Sequence, residues 1–181
     1  GGSTKRRLRV GIIGFGHLGQ YLVKCIRGRG GHPQYIGDDV ELMFVWNRSK
    51  DRLQDAVFLE QQLGITQPLP VLETLDDLTT SELCSDVDVL VEVAHPTIYV
   101  THGGALLKKA SLFVGSPTAF AQENVLETML GGLASDRALF LPAGALWGSA
   151  DVVKMAQSRT LGSVHISMRK PPHSFRLEEP L

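Results

Sequence analysis

The stretch Leu8-Arg9-Val10-Gly11-Ile12-Ile13-Gly14-Phe15-Gly16-His17-Leu18-Gly19 decides the fold. Its first half is short, β-branched and almost continuously apolar, as a strand buried on both faces of a parallel sheet must be. It breaks at Gly14. From His17 the period changes: Leu18, Leu22, Cys25 and Ile26 recur at three- and four-residue spacing, which predicts one inward helix face until the run Gly28 to Gly31 stops it. Between strand and helix, Gly14 to Gly19 fits G-x-G-x-x-G in the context that gives the motif meaning. Gly14 permits the tight turn, Gly16 lets a diphosphate approach the backbone, and Gly19 lets the helix pack on the sheet. The free N–H groups and the positive end of the helix dipole then face the phosphates. Phe15 and Leu18 belong to the same loop, and His17 reads as a turn-flanking residue rather than a catalyst. A glycine turn without a ligand is the bland alternative.

Outward from this unit the chain alternates. Gly28 to Asp39 is rich in Gly, Pro and polar residues and reads as a surface loop. A strand over 41–46 follows, then a helix over 51–62 with Leu53, Val57 and Leu63 inward, and a weak extended piece over 68–72. Asp86 to Ala94 is the clearest later strand. After it come a helix over 96–109, a strand over 112–114, a helix over 122–134, a strand over 138–141, a helix over 150–157, and an alternating strand over 162–169. Crossovers of this length imply parallel strands with right-handed connections, an α/β, Rossmann-type doubly wound sheet. Residues 1–7 read as a tag remnant and lead-in, 8–160 as the dinucleotide-binding domain, and 161–181 as only the beginning of a second, substrate and dimerisation domain.

Ligands of such sheets bind beyond the carboxyl ends of the strands, where strand order reverses. Those ends carry Gly14 to Gly19, Asn47 to Ser49, Ala94 to Pro96, Ser116 to Ala119 and Pro142 to Gly148, five loops expected to share one crevice. An NAD-preferring fold usually places Asp or Glu at the end of its second strand. Here stands Asn47, and with Arg48 and Ser49 it offers neutral donors and a planar cation suited to a 2′-phosphate. The cofactor is therefore read as NAD or NADP, with NADP accepted. Glu92 lies inside an apolar strand, so it is expected to be paired, protonated or turned toward the crevice. His95, beside Pro96, either contacts the cofactor or caps the next helix. Ser116 and Thr118 let backbone groups approach a flat ring, or they form a helix-capping turn. Gly144, Ala145 and Trp147 are substrate-side candidates, with Trp147 equally a packing residue.

Composition narrows the partners. Lys plus Arg is 18 against Asp plus Glu at 19, a net charge of −1, so no global basic field recruits nucleic acid or anionic lipid. Every apolar run is interrupted well before the roughly 20 residues that span a bilayer, so no membrane partner is expected. Only Cys25 and Cys84 are present, too few for a disulfide scaffold or a cysteine zinc site, which fits a cytoplasmic protein and no bound metal.

The residues as a set resemble a known family, the L-aspartate dehydrogenases, with the animal aspartate dehydrogenase domain-containing proteins among them. The resemblance rests on Val10 to Gly19, Phe44-Val45-Trp46-Asn47-Arg48, Val91-Glu92-Val93-Ala94-His95-Pro96, Val114 to Ala119, and Gly144 to Gly148, and spans nearly the whole chain. It implies oxidation of L-aspartate at its α-carbon with hydride passing to NAD(P)+, the imine hydrolysing to oxaloacetate and ammonia. It also implies that Ala119 contacts the cofactor. The family's candidate catalytic His and a further cofactor-contacting Asn lie in a second domain, and no segment here matches either. No catalytic residue is therefore assigned, and the chain reads as a truncated or alternative form that binds dinucleotide without turnover. The loss of that domain is expected to expose apolar surface near Trp147, Val164 and Ile166 and to favour a homo-oligomer. Two alternatives stand beside this: a non-catalytic dinucleotide-binding regulator, and a related dehydrogenase of another small amino acid or imine.

Overall fold

The computed structural model describes residues 5–28, 32–122, 124–142, 148–167, 169 and 171–172. The chain divides into two units, Gly1–Pro142 and Ala143–Leu181. In the first, five parallel strands form one sheet: β1 (Leu8–Ile13), β2 (Val40–Trp46), β3 (Val89–Glu92), β4 (Ser111–Val114) and β5 (Leu139–Phe140), in the order β2-β1-β3-β4-β5. The weak piece over 68–72 forms a single parallel bridge, Val71 to Val45, outside β2. With that bridge counted, the spatial order along the chain is 3-2-1-4-5-6, the dinucleotide-fold order. The order reverses between β1 and β3, and the carboxyl ends of those strands are where sheets of this kind take their ligands.

Period-two alternation, offset once in β2 where its register against β1 shifts between Val10 and Gly11, divides the apolar residues between two faces. On one, Ile13, Phe44, Leu90, Leu112 and Val114 pack with Tyr99, Leu106, Leu107 and Met129. On the other, Val10, Ile12, Leu42 and Val45 pack with Val23, Ile26, Leu53, Leu59 and Leu63. Each such side chain contributes about 1.5–3 kcal/mol on burial, which is why β1, buried on both faces over its last four residues, anchors the unit. Gly11 is required in its middle, because a Cβ there would enter the Phe44 ring.

Four expectations need correction. Helix α1 (His17–Arg27) buries Gly19, Val23, Cys25 and Ile26, whereas Leu18 is 55% exposed. Gly19 must face the Gly14 carbonyl, and one residue of helix turns the neighbouring side chain about 100° away from that contact. The helix expected over 51–62 is two, α2 (Asp51–Gln54) and α3 (Ala56–Leu63), because Asp55 leaves the helix and its carboxylate accepts the Phe58 N–H at 2.9 Å. That restart shifts the phase and leaves Val57 61% exposed, while Leu59 and Leu63 go inward. The helix expected over 122–134 is shortened to α5 (Val125–Gly131), following a 3₁₀ turn over Pro117–Ala121. Finally, the alternating stretch over 162–169 is not a strand: residues 161–167 have no regular structure, since alternation without a neighbouring strand satisfies no ladder hydrogen bond.

Helix α4 (Thr97–Lys109) joins β3 to β4 as expected. In the second unit, α6 (Ser149–Gln157) has no buried residue, and Val164 and Ile166 beyond it are exposed. Trp147 lies outside the described residues. Among the described residues, no helix is long and apolar enough to cross a membrane.

Candidate functional site

Three glycines of the first turn do three different things. Gly14 has φ +116°, and a Cβ there would stand 2.7 Å from the Val93 carbonyl and the Ala94 nitrogen, so the end of β1 is pressed against the segment after β3. A Cβ on Gly19 would overlap the Gly14 carbonyl oxygen, which holds α1 close against the strand end. Gly16 is different. It stands just before α1 in extended backbone with φ −71°, and a Cβ there would meet nothing within 4 Å. Neither its conformation nor its packing within the chain requires a glycine; the open space beside it does, once something large approaches. Residues 16–18 are all exposed, no side chain caps α1, and its first turn carries no acid. The amides there are open to an anion, and a dinucleotide diphosphate fits them.

The neighbouring loops are tied to this turn by named bonds. The Gly14 N–H donates to the Trp46 carbonyl at 2.7 Å, and the Phe15 N–H donates to Asn47 Oδ1 at 3.0 Å. Asn47 Nδ2 in turn donates to the Ser49 carbonyl at 2.8 Å. The Asn47 side chain therefore braces the first loop against the second. Arg48 is exposed and takes part in no hydrogen bond or ion pair among the described residues. Ser49 Oγ donates to Asp51 at 3.1 Å, which brings a carboxylate beside the pair that sequence reading had left uncharged except for Arg48.

After β3, Ala94 and His95 are exposed. The His95 ring nitrogen Nδ1 lies 3.0 Å from Thr97 Oγ1 and accepts the Thr97 N–H at 3.3 Å, so His95 caps the start of α4, one of the two roles expected for it. Pro96 precedes that helix. After β4, Ser116 turns inward to the carboxylate of Glu92, Thr118 is exposed, and Ala119 is buried in the core beneath the turn. A Cβ on Gly115 would overlap the Glu92 carbonyl oxygen, so the third and fourth loops also touch. Four of the five expected loops are thus brought together. Gly144, Ala145 and Trp147, on the fifth, lie outside the described residues.

Sequence reading found Glu92 but missed its partner. Tyr99, in the first turns of α4, is buried and donates its phenol to Glu92 Oε2. Burial, and then the bond to Glu92, push the Tyr99 phenol well above the usual tyrosine range. Two rules pointed to the pair: a carboxylate in an apolar strand must find donors, and a buried tyrosine must find an acceptor.

With the geometry in place, comparison with known proteins gives consistent results. Residues 14–142 match the family described as "Homoserine dehydrogenase, NAD binding domain". An aspartate dehydrogenase domain-containing protein of Xenopus tropicalis is 41% identical over 179 residues, covering 97% of this chain and 56% of that protein. One from Danio rerio is 41% identical over 174 residues, covering 95% and 56%. The chain spans about half the length of the curated relatives it matches. Among solved structures, the aspartate dehydrogenase of Thermotoga maritima superposes with a TM-score of 0.55 at 23% identity, covering 84% of this chain and 52% of that one. The WlbA dehydrogenase of Bordetella pertussis, solved with NADH and UDP-GlcNAcA, gives 0.51 at 16% identity, covering 87% and 44%. Both are likenesses of fold.

Proposed function

The chain belongs to the homoserine dehydrogenase-type family of NAD-binding domains, and on that premise we propose that it is the cofactor-binding half of an NAD(P)-dependent L-aspartate dehydrogenase. The observation that carries the proposal is Gly16: a glycine with no packing need for one, at an uncapped helix start, in the middle of the crevice. The names of the curated relatives support aspartate as the substrate of the whole protein.

When bound, an oxidised nicotinamide would supply the acceptor for the hydride of the substrate α-carbon, the amino group would lose a proton to solvent as the imine forms, and water would then hydrolyse the released imine to oxaloacetate and ammonia. The residues of this chain bind and orient. The amides of 16–18 and the dipole of α1 take the diphosphate. Asn47, Arg48 and Ser49 border the adenosine ribose, and Arg48 supplies the charge that admits a 2′-phosphate, so both NAD and NADP are accepted. Ala94, His95 and Pro96, with Ser116 and Thr118, border the nicotinamide half. A homo-oligomer is part of the reading, supported by the exposed Val164 and Ile166. So is a cytoplasmic location, supported by two free, buried cysteines.

The test is direct. The whole protein is mixed with L-aspartate or L-homoserine and each oxidised cofactor, and the absorbance of reduced nicotinamide is followed. Aspartate-dependent reduction is the expected result. Reduction with homoserine alone moves the substrate class, and cofactor binding without reduction by either replaces the enzyme reading with the regulatory one.

A further inference from the structure

The β3–β4 side of the sheet's carboxyl edge holds a buried carboxylate to which the proposed function gives no task. Glu92 is 0% exposed, and both of its oxygens are filled by donors. Oε1 accepts the N–H of Ala94 at 2.7 Å, the N–H of His95 at 2.9 Å and the hydroxyl of Ser116 at 3.1 Å. Oε2 accepts the N–H of Ser116 at 3.1 Å and the phenol of Tyr99. No cation pairs with it among the described residues. One carboxylate therefore gathers the ends of two strands and the start of α4.

The direction of these amides has a consequence. In a trans peptide the carbonyl points opposite to the N–H, so the carbonyls of Val93, Ala94 and Gly115 are turned away from Glu92. That of Val93 lies against Gly14. Those of Ala94 and Gly115 accept no hydrogen bond among the described residues. We infer that Glu92 is a positioning residue for the nicotinamide half of the dinucleotide: it aims the Ala94 and Gly115 carbonyls outward as acceptors for ligand hydroxyl and amide N–H groups. The inference rests on the dinucleotide reading, in which the phosphates take the start of α1 and the adenosine ribose the end of β2, leaving β3 and β4 to the other half. The crevice then has a donor pole at α1 and an acceptor pole at β3–β4.

Glutamine is no substitute for this carboxylate. Each oxygen accepts at least one backbone N–H, so in either orientation a carboxamide sets its own NH2 against an amide donor. Calorimetric dissociation constants for ADP and for NAD+ separate the halves of the ligand, measured on the wild-type chain, Glu92→Gln, Tyr99→Phe and Ser116→Ala, with circular dichroism confirming the fold of each. Glu92→Gln is expected to weaken NAD+ about tenfold while ADP stays within about twofold. Tyr99→Phe and Ser116→Ala keep all three amide donors and are expected to show the same split at about threefold, which carries the test if Glu92→Gln does not fold. An unchanged NAD+ constant in a folded Glu92→Gln overturns the inference. So does an equal loss of both ligands in Tyr99→Phe or Ser116→Ala, the mark of general loosening, and so does a wild type that binds ADP and NAD+ equally tightly. A wild type that binds neither overturns the dinucleotide reading itself.

Discussion

Beyond β1 the backbone leaves the amides of residues 16–18 open, whereas beyond β3 it turns those of Ala94 and His95 inward onto one carboxylate. The two loops lie side by side, joined where Gly14 meets Val93 and Ala94, yet they solve opposite problems. The first needs an anion from outside, and α1 accordingly has no side-chain cap and no acid in its first turn. The second already contains its anion, Glu92, satisfied by five donors from Ala94, His95, Ser116 and Tyr99. The lesson is that a site's open polar groups and its closed ones carry different information: the open ones point to a ligand, the closed ones to what holds the ligand's surroundings still.

Substitutions that treat the glycines unequally bring the contrast into the sharpest focus. Gly19→Ala drives a methyl into the Gly14 carbonyl oxygen and is expected to cost on the order of 3 kcal/mol or more, read as a large fall in thermal midpoint. Gly14→Ala adds strain at φ +116° and is expected to behave likewise. Gly16→Ala, with nothing to strike inside the chain, should leave the midpoint unchanged and weaken NAD+ about tenfold in a calorimetric titration. An equal loss of stability at Gly16 and Gly19 would erase the distinction between a packing glycine and a ligand glycine.

The closed loop has its own signature in pH. The Tyr99 phenol is held protonated in the folded chain above its ordinary value of 10.0, so above that pH the native state binds a proton that the unfolded chain has lost. Stability is then whole below pH 10.0 and falls as the pH rises beyond it, by up to about 1.4 kcal/mol per unit for one proton. Urea unfolding of the wild type and Tyr99→Phe across the alkaline range checks this; a shallower slope in the variant is the expected outcome. At the far edge of the open loop the effects are smaller. Arg48→Ala is expected to weaken NADP+ about fivefold without changing NAD+, and Asp51→Asn to tighten NADP+ about twofold by removing the carboxylate beside Ser49. Titration of both cofactors into both variants decides it, and equal NADP+ constants in wild type and Arg48→Ala would remove Arg48 from the phosphate site.

Much of this was legible in the chain. Strand, glycine turn and helix over 8–27 lie next to one another, and their signals are local: apolar continuity, loss of Cβ, and a change of period. The crossover helix after Pro96 and the strand ends at Trp46 and Val114 were legible for the same reason, whereas the strand expected over Asp86 to Ala94 is the shorter β3, which ends at Glu92 because the Ala94 N–H turns to the Glu92 carboxylate instead of a ladder partner. The phase of α1 was not, because the inward face is chosen by the contact of Gly19 with Gly14 rather than by the positions of the leucines. The break at Asp55 was hidden because a carboxylate serves as well inside a solvated helix face as at a cap. Val71 reads as loop until β2 offers it a partner, since one bridge needs no pattern of its own.

The sequence by itself determined that this chain builds a parallel dinucleotide fold with a glycine-lined helix start, because turn chemistry and hydrophobic period act over a few residues and need no knowledge of the rest. The tertiary structure alone decided which glycine faces a ligand, that Asn47 braces the first loop, and that Glu92 closes on Tyr99 and Ser116. Hydrogen bonds between strand ends 24 or more residues apart depend on where the sheet sets those ends, and the order β2-β1-β3-β4 sets them side by side.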